Sequence, residues 1–365
     1  MVDAIFPAAM PAQTPRKEIS GSMSELPPPW FSGILGSLFE RRELTAEQVA
    51  TVFDCLLSGQ LRDPETAAFL TAMRMKGETA GELAAAAGVL RRMMTPFDAG
   101  REDLLDTCGT GGDDCGTFNI STAAAIVAAG AGLPVVKHGN RAVSSRCGSA
   151  DVLAEFGLPV ESGPCWARRC LDCAGIAFLF APQFHPAMKH VGPLRRRLGV
   201  RTMLNLLGPL ANPAIAAFQL LGVGRRELLD PVAGALARLG TRSAFVVCSA
   251  DGLDEVSLSA STHFRHVRGG AVEVGEWTPA DFGLEPCQLD ELRVTDAAAS
   301  ARVIRGVLAG EAGPARRVTL ANAAAAILAA GRAYDLHAAV ALAAEALDSG
   351  RATRVLESMR GVSAA

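Results

Sequence analysis

The sequence predicts an α/β protein in which a small N-terminal all-helical domain precedes a larger α/β domain with a central, largely parallel sheet flanked by helices. Two patterns and one size argument carry this expectation. Residues 30–97 place apolar side chains at helical spacing behind successive capping signals. From about residue 103, short apolar segments alternate with Ala-rich or Leu-rich helical stretches, the pattern of βα units and a parallel sheet. A chain of 365 residues, 49% hydrophobic and 20% charged, is long enough for one large domain with a smaller one attached.

In the helical part, Thr45-Ala-Glu-Gln48 forms a capping box, and Val49, Val52, Phe53, Leu56 and Leu57 follow on one helical face. Asp63-Pro64 supplies an N-cap and a first-turn proline to a second helix, which carries Phe69, Leu70 and Met73 and stops at Lys76-Gly77. Thr79-Ala-Gly-Glu82 is another capping box, leading into Leu83, Ala86, Ala87 and Leu90. Three short amphipathic helices leave apolar faces that need a partner. Beyond them, strands are expected at residues 104–108, 134–137, 175–181, 218–223 and 244–248. A helix is expected at 150–156, behind Ser149 and ended by Gly157. Residues 1–29, rich in Pro, Ala and Ser and without a signal-peptide pattern, read as a disordered leader. The domain division that follows is 30–97 and 98–365.

Charge and cysteine usage exclude several classes. A net charge of −3 creates no global field for nucleic acid or an anionic membrane. The clusters Arg168-Arg169, Arg195-Arg196-Arg197 and Arg316-Arg317, taken alone, are solvated helix faces. The longest apolar run, residues 121–136, is mostly Ala and Gly and contains a proline, so it reads as a packed helix followed by a strand. Nine scattered cysteines suggest reduced thiols in a cytoplasm. Cys170 and Cys173, with Cys165 nearby, lack a partnering pair for zinc and read as thiols on a helix.

Four segments carry chemistry. The first is Asp106-Thr-Cys-Gly-Thr-Gly-Gly-Asp113 followed by Thr117-Phe-Asn-Ile-Ser-Thr122, a strand, a glycine-rich turn and a helix beginning near Ser121 or Thr122. Such a turn either only connects tightly or cradles phosphate with backbone N–H groups at a helix N-terminus. It has neither the Walker ending nor dinucleotide spacing. The second, residues 137–151 from Lys137-His-Gly-Asn140 to Asp151, gathers a lysine, two arginines, several serines and two glycines after a strand, a donor set suited to pyrophosphate. The third, Asp251-Gly-Leu-Asp-Glu255, puts three carboxylates at a strand end, where they suit Mg²⁺ or form a polar turn. The fourth runs from Phe180 through His185 and His190 to Arg195, Thr202 and the Asn205–Pro213 motif. It mixes Pro, Phe and Met with His, Lys and Arg, as a slot for a planar aromatic acid would. His185 and His190 have no nearby acid partners and read as packed or capping residues.

Together, and with Ala68-Phe-Leu-Thr-Ala-Met-Arg-Met-Lys-Gly-Glu-Thr79 and Asn322-Ala-Ala, these segments closely resemble the anthranilate phosphoribosyltransferase family from about residue 38 onward. The resemblance implies a helical domain joined to an α/β domain with a cleft between them, a homodimer through the helical part, and a stretch around 187–205 returning to the small domain. It implies transfer of a phosphoribosyl group to the anthranilate amine, in tryptophan biosynthesis, with Mg²⁺. Residue by residue, it places phosphoribosyl pyrophosphate against Gly109, Gly112, Asp113, Thr117, Asn119, Ser121, Thr122, Lys137, Ser145 and Ser149. Mg²⁺ would be held by Ser121, Asp254 and Glu255, and anthranilate by Gly109, His138, Asn140 and Arg195. Lys137, Asp254 and Glu255 would carry the catalytic charge. Asp114, Arg146-Cys147 and Val294-Thr295 depart from the family pattern, Asp114 standing where a glycine is usual. The rival expectations are a pyrimidine-type nucleoside phosphorylase and a non-catalytic paralogue that binds nucleic acid or phosphoribosyl pyrophosphate.

Overall fold

The computed structural model describes residues 27–142 and 147–362. Most of the expected leader, and Ser145 of the expected donor contacts, lie outside the described residues. The described residues begin with four helices: α1 (Phe31–Phe39), α2 (Ala46–Leu57), α3 (Asp63–Lys76) and α4 (Ala80–Met93). Both capping boxes form, at Thr45/Gln48 and Thr79/Glu82, so α2 and α4 begin where the sequence places them. At α3 the cap position is Arg62, with Asp63 already helical, one residue earlier than expected, and Pro64 sits in the first turn. Glu82 is fully buried and accepts from both Lys76 Nζ (2.8 Å) and the Leu44 backbone N–H (2.9 Å), so its charge is paired inside the bundle.

The α/β domain then runs β1 (Leu105–Gly109), α5 (Ile120–Gly130), β2 (Val135–Gly139), α6 (Ser149–Glu155), α7 (Gly163–Ala174) and β3 (Ile176–Phe180). Short helices α8 (Ala181–Phe184), α9 (Gly192–Leu198) and α10 (Leu207–Leu210) precede β4 (Phe218–Gly222), α11 (Leu229–Arg238) and β5 (Ser243–Ser249). Strands β6 (Thr262–Arg268) and β7 (Ala271–Trp277) follow, and α12 (Ala297–Leu308), α13 (Pro314–Ala329), α14 (Leu336–Asp348) and α15 (Arg351–Gly361) complete the chain.

One seven-stranded sheet has the order β3-β2-β1-β4-β5-β6-β7. The first five strands are parallel, and β6 and β7 add an antiparallel ribbon at one edge. The chain winds outward from β1 to β3 and then returns to place β4 on the other side of β1. The crevice at the C-terminal ends of β1 and β4 is therefore the topological switch point, where open α/β sheets bind ligands. The sequence did not predict β6 and β7. Their alternating Thr, His, Phe, Arg and Glu belong to a half-exposed ribbon rather than a buried run, and Gly269-Gly270, both with positive φ, make its tight turn.

Three apolar clusters pack on the sheet, the smallest of them around Phe97, Val136, Leu171, Leu179 and Phe184. One face is covered by α5 and the C-terminal helices. Helix α5 is buried on nearly all sides, and its small residues allow close approach: a Cβ at Gly130 would lie 2.8 Å from the Ala352 backbone. On the other face, Val49, Phe53, Phe69 and Leu83 of the helical domain share one core with Met203, Leu204, Leu207 and Leu210 and with Leu229, Val232 and Leu236 of α11. The apolar faces left open by the first helices are thus closed by residues 203–211 and α11.

Candidate active site at the switch point

The geometry starts from two glycines. Gly109 and Gly222 are register partners at the ends of β1 and β4. A Cβ on Gly109 would lie 2.6 Å from Asp254 Oδ2, and one on Gly222 would strike the Asp254 carbonyl. Only glycine at both positions lets the acidic loop seat on the strand ends. From there Asp254 Oδ2 accepts from the Gly111 backbone N–H at 2.9 Å, and Glu255 Oε1 accepts from the Ser121 N–H at 3.1 Å. The acidic loop is itself anchored. Fully buried Asn322 of α13 accepts from Val256 N (2.9 Å) and donates to Val256 O (2.8 Å), and the Ser249 hydroxyl donates to Glu255 O (2.7 Å). Asp251 is separated from the pair, since its carboxylate accepts from Ser257 Oγ at 2.6 Å and from Ser259 Oγ.

Asp254 and Glu255 are buried and make no ion pair among the described residues. Burial, with the neighbouring Asp113 charge, pushes the Asp254 carboxyl up to about 7. Burial and then the Asp254 charge push Glu255 well above the usual carboxylate range. Two buried, mutually repelling oxygen-donor groups without a paired cation are a fit for a hard divalent ion such as Mg²⁺. Among the described residues no group of three His, Cys, Asp or Glu side chains is arranged to hold a metal alone.

Lys137, in the middle of β2, is buried and donates to the Thr107 carbonyl (2.5 Å) and to Ser121 Oγ (3.0 Å). Burial pulls its ammonium down, while Asp106 and Glu255 oppose that shift. Asn119 caps α5, its Oδ1 accepting from Thr122 N at 3.3 Å and from the Thr122 hydroxyl. The helix therefore starts at Ile120, one or two residues before the expected Ser121 or Thr122. Asp113 Oδ1 accepts from Cys115 N (3.2 Å), and Thr117 forms a β-bridge with Arg293. Ser149 begins α6 against Gly139, its Oγ near the Asn140 carbonyl at 3.5 Å. Asp114 has φ +54°, a left-handed conformation that glycine adopts without strain and that Asp tolerates.

The other wall is built differently. His138 is buried, with Nδ1 3.2 Å from the Gly208 carbonyl and Nε2 without a partner. His185 stands beside it, ring centroids 5.0 Å apart, and neither of its ring nitrogens has a hydrogen-bond partner. Burial, then mutual proximity, holds His138 at about 3, and burial holds His185 at about 4, so both rings are neutral. His190 packs instead over Gly59. Asn140 is exposed and accepts from the Arg141 N–H (2.8 Å). Arg195 is half-buried and makes no ion pair among the described residues; burial and then Arg201 pull its guanidinium down. Behind this wall Asn212 donates to Asp106 Oδ2 and to the Val136 carbonyl, both at 2.8 Å, fixing residues 205–213 to β1 and β2.

The structure brings the glycine-rich turn, Lys137, Ser121 and the acidic pair to one place, with His138 beside Lys137 on β2. Asn212, Asn322, His185 and Arg201 complete the surroundings, and none was singled out for a role from sequence. Arg201 lines a cavity of about 180 Å³ with Arg74, Glu78, Gly112, Asn205 and Arg225. All nine cysteines are free; Cys170 is buried and Cys173 exposed, on α7.

Residues 32–94 match the family described as glycosyl transferase family, helical bundle domain, and residues 101–353 match its a/b domain. The class is thus a glycosyl transferase with a helical bundle and an α/β domain. The anthranilate phosphoribosyltransferase of Methanosphaerula palustris is 47% identical over 327 residues, covering 89% of this chain and 96% of the relative. That of Geobacter sulfurreducens is 46% identical, covering 89% and 97%. Among solved structures, the Thermus thermophilus anthranilate phosphoribosyltransferase superposes with a TM-score of 0.84 at 40% identity, over 90% of this chain and 98% of that one. The Saccharomyces cerevisiae enzyme in complex with PRPP and Mg also gives 0.84, at 29% identity over 91% and 97%. This chain belongs to the anthranilate phosphoribosyltransferase family.

Proposed function

We propose that the chain transfers the 5-phosphoribosyl group of phosphoribosyl pyrophosphate to the amine of anthranilate, giving N-(5-phosphoribosyl)anthranilate and pyrophosphate, the second step of tryptophan biosynthesis from chorismate. The observation that carries this reading is the meeting of a glycine-rich turn, a buried lysine and an unpaired acidic pair at the ends of β1 and β4. The yeast relative's structure with PRPP and Mg supports the donor and the metal. Gly109, Gly112, Asp113, Thr117, Asn119, Ser121, Thr122, Lys137, Ser145 and Ser149 line the donor. Gly109, His138, Asn140 and Arg195 receive the acceptor, Arg195 meeting its carboxylate.

Breaking the bond at ribose C1 develops positive charge on the sugar and negative charge on the departing pyrophosphate. Lys137 and the backbone N–H groups of Gly112 and Asp113, which have no partner among the described residues, face that negative charge. Mg²⁺ would be held by Ser121, Asp254 and Glu255, and when bound it would supply further positive charge beside the pyrophosphate. The anthranilate amine is neutral near pH 7, so His138 and His185 need not remove a proton before attack. They orient the ring and keep water away, and positioning dominates the rate. The domain limits 30–97 and 98–365, with a return near 187–205, follow from the same reading. So do a cytoplasmic homodimer through the helical domain and the absence of nucleic acid or membrane as partners. Exposed Phe39 and Met75 on the helical domain support the dimer. No helix among the described residues is long and apolar enough to cross a membrane.

Anthranilate fluorescence followed in the presence of phosphoribosyl pyrophosphate and Mg²⁺ tests the proposal. Loss of fluorescence that requires protein and both additions is expected. Unchanged fluorescence under conditions where the donor binds would overturn the acceptor assignment.

A further inference from the structure

Arg201 has no place in the donor, acceptor or metal sets above, yet it is the side chain in closest contact with the glycine-rich turn. Its Nη1 donates to the Gly111 carbonyl. Its guanidinium also fills the space over Gly112, so that a Cβ on Gly112 would fall inside it. Gly111 and Gly112 have φ of +67° and +73°, which glycine adopts without strain. The other polar group of Gly111, its N–H, is held by Asp254 Oδ2 at 2.9 Å. One residue of the turn is thereby gripped at both its N–H and its carbonyl, by side chains 53 positions apart in the sequence. Arg201 makes no ion pair among the described residues, so its charge stays next to the turn.

The placement of Arg201 follows from the returning segment. Helix α9 ends at Leu198, Gly199 takes φ +63° to reverse the chain, and Met203 and Leu204 then anchor in the core shared with the helical domain. Arg195 lies before that reversal and Arg201 after it. One short segment thus carries both the arginine assigned to the acceptor and the arginine that grips the donor turn.

We propose that Arg201 is a positioning residue for the donor. It fixes the conformation of the glycine-rich turn, whose Thr110 and Gly111 N–H groups are already held by the Gly222 carbonyl and Asp254, so that the N–H groups of Gly112 and Asp113 are aimed at the pyrophosphate, and it adds one positive charge beside them. This rests on the phosphoribosyl-transfer reading, and deepens it by assigning a residue to donor affinity alone. A guanidinium suits the task because its planar fork can donate to a carbonyl while lying flat on a glycine.

The test is steady-state kinetics and donor calorimetry on Arg201→Ala, Arg201→Lys and Gly112→Ala, and on the double variant of Arg201→Ala with Gly112→Ala. Arg201→Ala is expected to raise the KM for phosphoribosyl pyrophosphate about tenfold to a hundredfold, the loss typical of a charge-assisted hydrogen bond. The KM for anthranilate should change less than about threefold, and Arg201→Lys should recover part of the donor affinity. Gly112→Ala should also weaken the donor, and the two changes together should cost less than their product, because the methyl group no longer meets a guanidinium. Equal rises in both KM values, an unchanged donor KM, or strictly multiplicative effects would overturn the proposal. If Arg201→Ala does not fold, the Lys variant and Gly112→Ala decide by the same donor-to-acceptor split. Wild-type protein that consumes no anthranilate would instead remove the functional reading itself.

Discussion

The donor wall and the acceptor wall of the cleft differ in how completely they satisfy themselves. On the donor wall nearly every polar group already has a partner within the protein: Lys137 on Thr107 and Ser121, Asn119 on Thr122, Asp254 on Gly111, Glu255 on Ser121. These partners come from the central strands, the turn after β1 and a helix N-terminus. On the acceptor wall, His138 Nε2 and both nitrogens of His185 are buried and unpartnered, and Arg195 has no carboxylate. Apart from His138 on β2 and Asn140 just after it, its elements are short helices and turns from residues 181–213. The contrast teaches where each substrate's affinity comes from. On the proposed site assignment, the donor would meet a preformed electrostatic cradle, whereas the acceptor would bring its own partners to the His138 side of the cleft.

The largest effect that would break this contrast is on the acidic pair. Asp254→Asn with Glu255→Gln should lower Mg²⁺-dependent turnover at least about a thousandfold while circular dichroism stays that of the folded protein. Retained activity would show that the cradle needs no metal ligands. Next comes Gly222→Ala, whose methyl would push the Asp254 carbonyl off the strand end. A loss in kcat on the order of a hundredfold is expected, since small displacements of positioned groups cost that much. Arg195→Ala should weaken anthranilate by about one to two decades, for a charge-assisted hydrogen bond of roughly 1.5–3 kcal/mol, and leave the donor alone.

Two smaller effects sharpen the comparison. His138 and His185 are held neutral at about 3 and about 4, while in the unfolded chain they titrate near the ordinary value of 6.5. As pH falls below 6.5 the unfolded state takes up protons that the folded state refuses. Their contribution to stability is complete above pH 6.5 and declines toward pH 4. Urea midpoints at pH 7.5 and 5 should fall less in His185→Gln than in the wild type; an equal fall would place the acid sensitivity elsewhere. At Asp114, replacement by Gly should change stability by less than about 1 kcal/mol, since Asp tolerates the left-handed region, whereas Val should cost roughly 1–2 kcal/mol. Thermal melts of the two variants that coincide would contradict the assigned backbone strain.

The sequence made the donor wall more legible than the acceptor wall, for physical reasons. Strands β1 to β5 are buried on both faces, so their apolar runs stand out and their ends fall within a residue or two of expectation. The cradle residues are contiguous with those strand ends and travel with them. The edge strands β6 and β7 carry charge on a half-exposed ribbon and gave no such signal. Contacts that join distant segments were also silent. Asn212 reaches Asp106 across 106 positions, Asn322 reaches Val256 across 66, and Arg201 reaches Gly111 across 90. Each is a polar residue in a loop or helix whose partner is a backbone group or one buried carboxylate, and neither spacing nor composition encodes that pairing. Asp251 illustrates the converse: its spacing matches the acidic pair, but local serine hydroxyls take it up.

The contrast between the walls is tested most directly by calorimetric titration of each substrate into three proteins: wild type, Arg195→Ala, and the variant combining Asp254→Asn with Glu255→Gln. Arg195→Ala should lose anthranilate affinity and keep Mg²⁺-dependent binding of phosphoribosyl pyrophosphate. The acidic-pair variant should lose the Mg²⁺-dependent part of donor binding. Donor affinity that falls as far as acceptor affinity in Arg195→Ala, or that keeps its full Mg²⁺ dependence without the acidic pair, would contradict a cleft with two separate walls.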